Sequence, residues 1–62
     1  MTKTLTKDQI KAGQRIFQVA HPEYGDWTIV EHYSGGMWNV RGRSGMICTC
    51  EGELTKFWAI AK

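Results

Sequence analysis

Residues 27–43 read Trp27-Thr28-Ile29-Val30-Glu31-His32-Tyr33-Ser34-Gly35-Gly36-Met37-Trp38-Asn39-Val40-Arg41-Gly42-Arg43. Residues 27–33 and 37–43 are rich in the β-branched and aromatic side chains that fit a pleated, half-buried surface. Ser34-Gly35-Gly36 between them supplies the positive backbone angles of a tight hairpin, so the two runs are expected to pair antiparallel. Successive strand side chains point to opposite faces. Trp38 and Val40 therefore share one face, and Met37, Asn39, Arg41 and Arg43 the other. With Trp38 and Val40 inside, Asn39, Arg41 and Arg43 form an outward polar stripe.

The same pattern extends in both directions. Ser44-Gly45 marks a second hairpin, residues 46–50 a fourth strand, and Glu51-Gly52 the next break. Residues 53–56 suit a single helical turn, and the apolar run 57–61 a last strand. On the N-terminal side, residues 16–20 read as a first strand. The loop 21–26, His21-Pro22-Glu23-Tyr24-Gly25-Asp26, gathers three residue types that each favour turns. At the start, Thr6 can cap a short helix over residues 7–11, with Asp8 in its first turn and Gly13 as its stop. Leu5 and Ile10 would make residues 1–13 a helical lid on a barrel formed by residues 15–61.

Five short strands in about fifty residues favour a bent sheet that closes on itself, because closure hides the edges of a flat meander. The early loop 21–26, the two tight hairpins and the helical turn 53–56 before the last strand resemble the SH3-like small barrels. The fold class is thus mainly β, a five-stranded SH3-like barrel in one domain. The resemblance implies a fold that hosts peptide, RNA and DNA binders, with the long loop after the first strand helping to form a groove. The expected core is Ile16, Val19, Ile29, Trp38, Val40, Ile47, Leu54, Phe57 and Ile60.

Composition bounds the function. With 62 residues, 42% hydrophobic, the chain has too little volume for an elaborate enclosed active site. Eight Lys and Arg against six Asp and Glu give +2, a mildly basic balance. Apolar runs are far shorter than the roughly 20 residues of a membrane span, and the first fifteen residues lack the apolar stretch of a secretory signal. A cytoplasmic address follows as the expectation. Cys48 and Cys50, two apart in a strand, lack the geometry for an unstrained disulfide with each other, which fits a reducing compartment.

Two surfaces compete as the functional site. Asn39, Arg41 and Arg43 can hydrogen-bond phosphates, and nearby Tyr33 or Trp27 could stack on a base, as small β-sheet binders of single strands do. Alternatively, Tyr24, Trp27 and Tyr33 around the loop are of the types that anchor protein interfaces, and Glu23 and Asp26 would favour a partner carrying Arg or Lys. Lys3, Lys7, Lys11 and Arg15 recur every four residues but are interrupted by Gly13, and read as a solubilising edge. His21, His32, Cys48 and Cys50 equal a zinc ligand set in number but lack its paired spacing, so no metal or cofactor is expected. No nucleophile motif surrounds either Cys, so no catalytic residue is assigned and the chain is read as non-enzymatic.

The reading from sequence is a stand-alone protein, Met1 to Lys62, in the style of small accessory proteins of phage and mobile elements. Its leading expected partner is nucleic acid. The alternative is a larger host protein that it would regulate or inhibit. An edge strand ending in Trp58-Ala59-Ile60 could also pair with its copy, giving a homodimer.

Overall fold

The computed structural model describes residues 3–61; Met1, Thr2 and Lys62 lie outside them. Strands β1 (Arg15–Gln18), β2 (Trp27–Ser34), β3 (Met37–Gly42), β4 (Gly45–Cys50) and β5 (Trp58–Ile60) form one antiparallel sheet in the order β4-β3-β2-β1-β5. A helix, α1 (Glu51–Phe57), links β4 to β5. Short 3-10 turns occupy Lys7–Gln9 and Pro22–Tyr24. The sheet is not closed: β4 pairs with β3 and β5 with β1, and the two end strands do not meet.

The register follows from the turns. Gly42 faces Gly45 across Arg43-Ser44, which aligns Val40 with Ile47 and Trp38 with Thr49. Ile29 faces Val40, and Ile16 faces both Trp27 and Ile60. Two irregularities, between Ile29 and Glu31 and between His32 and Ser34, let β2 twist around β3.

The core is Leu5, Ile10, Ile16, Trp27, Ile29, Val40, Leu54 and Trp58, with Trp38 and Ile60 packed against it. Trp27 and Trp58 meet edge to face, their ring centroids 5.5 Å apart. Gly42 is required by this packing, because a Cβ there would lie 2.5 Å from the Trp27 ring.

Several expectations are corrected. Ile47 is 41% and Phe57 51% exposed, because a sheet that stays open leaves no second wall to cover them. Val19 is half-buried beyond the end of β1, where its N–H donates to the Phe57 carbonyl at 2.8 Å. Trp27, read as a docking residue, is 6% exposed and belongs to the core. The N-terminal lid is one 3-10 turn instead of a longer helix. Thr6 N–H donates to Gln9 Oε1 at 2.9 Å, and Leu5 N–H donates to the Trp58 carbonyl at 2.9 Å, which lays the segment against β5. The single helical turn at 53–56 is instead the seven-residue α1. Among the described residues no helix is long and apolar enough to cross a membrane.

Candidate functional site

The outward stripe of β3 is divided. Arg41 is exposed and faces Thr28 across the ladder, while half-buried Asn39 faces Glu31, which places a negative charge on the same surface. Arg43 lies past the end of β3, in the turn, with its guanidinium over Gly25, where a Cβ would approach Nη2 to 2.9 Å. Gly25 has φ +83°, so the loop both needs a glycine and presents it to Arg43. Tyr33 is 67% exposed at the other end of β2, five residues from Thr28 and thus about 17 Å along the strand. Asn39, opposite Glu31, lies between Arg41 and Tyr33 along the hairpin, while Arg43 is turned away over Gly25, so the four residues do not form one compact cluster.

The loop residues of the second reading are likewise spread. His21 stacks on Tyr24 with ring centroids 4.8 Å apart, and its Nδ1 lies 3.2 Å from Glu23 Oε2. The Glu23 carboxyl is held below the usual carboxylate range, chiefly by its own backbone N–H and then by the hydrogen bond from His21. Asp26 is paired with Arg15 at 2.7 Å. Tyr24, Glu23, Arg43 and Ser44 border a shallow hollow, which joins one residue of the basic stripe to the aromatic loop. Trp27 supports this region from the core, and Tyr33 lies far from it.

A third surface gathers more. Where the open sheet leaves β4 apart from the β1–β5 pair, a groove of about 360 Å³ is lined by Gln18, His21, Ile47, Thr49, Phe57 and Trp58, together with Glu53 and Cys48. Three causes position these side chains. Ile47 and Thr49 point to the same face as Val40 and Trp38 because they are their ladder partners. Gln18 faces Trp58 across the β1–β5 ladder. Phe57 ends α1, which buried Leu54 fixes to the core.

The groove carries polar groups as well. Buried Thr49 donates its hydroxyl to Glu53 Oε1 at 3.3 Å. Gln18 Oε1 is buried without a hydrogen-bond partner, as are Trp27 Nε1 and Trp38 Nε1; of the three residues, Gln18 lines the groove. Gln18, Ile47, Glu53, Phe57 and Trp58 were missing from both candidate sites read from sequence. No local spacing marks them, because the groove exists only where two strands distant in the chain fail to meet.

Cys48 and Cys50 are free thiols, and among the described residues no group of three or more His, Cys, Asp or Glu is arranged to hold a metal ion. No family model, curated protein or solved structure matches the chain.

Proposed function

We propose that this chain is a small, non-enzymatic binding module of SH3-like architecture that captures a segment of a larger protein in the groove between β4 and the β1–β5 pair. The sheet order β4-β3-β2-β1-β5, the loop between β1 and β2, and the helix before the last strand support the architectural part. One observation carries the binding part: Ile47 and Phe57, two large apolar side chains, stand exposed on the walls of one groove against Trp58. Clustered exposed apolar surface in a small protein marks an interaction site more often than scattered single residues do. A regulatory, inhibitory or accessory role on a larger protein fits such a surface.

The test is selection of a random dodecapeptide display library on the protein, followed by binding to a folded Ile47→Thr/Phe57→Ser variant. Peptides that bind the parent and lose about tenfold or more on the variant support the reading. An absence of selected peptides, or peptides indifferent to the variant, contradicts it.

The outer face supports a second reading, nucleic-acid binding through Asn39, Arg41, Arg43 and Tyr33. Arg41 favours it, being exposed and free of any ion pair among the described residues. Binding of random oligonucleotides that weakens steeply with salt and is lost on replacing Arg41 and Arg43 with Ala would favour this reading. Retention in that variant would remove it.

A further inference from the structure

The proposed groove lies beside an unpaired strand edge, and the two features together specify how a partner would be held. Gly42 and Gly45 close the two-residue turn between β3 and β4. Alternation of the antiparallel ladder then turns the N–H and C=O groups of Ile47 and Thr49 toward β3, and those of Met46 and Cys48 outward. Among the described residues no strand pairs with that outward edge. At the opposite end of the sheet the N-terminal segment covers β5 through Leu5, so the two edges are treated differently. An unpaired edge is a template for an added strand.

The side chains beside that edge select what the added strand carries. A strand laid along β4 would turn every second side chain toward Ile47, Phe57 and Trp58, which calls for large apolar residues there. Glu53 is the one acidic or basic side chain at the groove apart from His21, in a chain of net charge +2. Its Oε1 receives Thr49, and Oε2 has no partner among the described residues. Gln18 Oε1, buried and unpartnered, offers a second acceptor. Among the side chains of the groove, Glu53 Oε2 and Gln18 Oε1 are thus acceptors left without a donor.

We infer that the partner segment is an extended strand that adds to the free edge of β4, placing an apolar side chain in the groove and a Lys or Arg against Glu53 and the Gln18 carbonyl. This rests on the reading of the groove as a protein-binding site.

The probe is a dodecapeptide selected as above, with hydrogen exchange followed by NMR on the complex. The expected result is new protection of the Met46 and Cys48 amides, with Ile47 and Thr49 little changed because β3 already holds them. Selected peptides should alternate apolar residues and carry Lys or Arg. Glu53→Gln should weaken them about fivefold, the scale of a single exposed ion pair. Gln18→Met should weaken binding while leaving the free protein at least as stable, since it removes an orphaned buried acceptor. Peptides that need Ile47 and Phe57 but leave Met46 and Cys48 unprotected overturn strand addition, and peptides that ignore both substitutions overturn the Lys or Arg contact, while the groove reading stands in either case. Failure to select any groove-dependent peptide overturns both.

Discussion

At the residue scale, Gly42 and His21 carry the sharpest consequences. Gly42 looks like a weak strand residue in sequence, and its purpose becomes visible only with the Trp27 ring lying over it. Gly42→Ala forces that ring or the β3 backbone to move, and should cost about 1–3 kcal/mol in urea unfolding, the usual range for overpacking a core. An unchanged midpoint would mean that Trp27 does not cover Gly42. Glu23 offers a pH test. Its folded pKa is depressed, so its stabilising contribution is present above the ordinary value of 4.5 and is lost as pH falls through the folded value. An NMR titration should give a Glu23 midpoint below the ordinary range, and His21→Ala should raise it part of the way back. The backbone N–H, the larger cause, remains in that variant. A midpoint that does not respond to His21→Ala would remove the ring from the account.

Elements were legible where short-range chemistry sets them. The hairpins were readable from Gly35, Gly36 and Gly45, and β2, β3 and β4 fall within a residue of the ranges expected. Two segments differ from the expected elements, in opposite directions: one helix is longer and the other shorter. In sequence Gly52 reads as a break, since Gly costs about 1 kcal/mol in a helix. The structure runs α1 through it, held by Leu54 in the core and by the Thr55 hydroxyl donating to the Glu51 carbonyl at 3.0 Å. Near the N-terminus, Thr6 and Asp8 favour a helix, but the hydrogen bond from Leu5 to Trp58 and burial of Leu5 and Ile10 draw the segment into a more extended path. In each case long-range packing overrides local preference. Leu54 is the anchor of α1, fully buried, and Leu54→Ala should cost about 2–5 kcal/mol. Thermal or urea unfolding checks this. A loss below about 1 kcal/mol would show that the helix is not held by that side chain.

For the whole molecule, the decisive feature is the gap between β4 and the β1–β5 pair. A chain of five short strands suggests closure, and closure would have buried Ile47 and Phe57. Periodicity identifies the face to which Ile47 points, since it alternates with Met46 and Cys48, but not whether anything stands opposite that face. The Arg41 side of the sheet was legible as exposed from the same alternation. The groove was not, because it depends on the curvature accumulated over four strand pairings. Thus the outer surface was the more readable and the inner one the more informative for binding.

Ile47 and Phe57 are walls of an open groove instead of members of a closed core. Urea unfolding of the Ile47→Thr/Phe57→Ser variant tests this directly and needs no partner. Half-exposed side chains have little buried area to lose, so the two substitutions together should cost about 1–2 kcal/mol and leave a cooperative transition. A closed core would lose about 5 kcal/mol or more from the same pair, leaving so small a domain largely unfolded, and that result would contradict the open sheet.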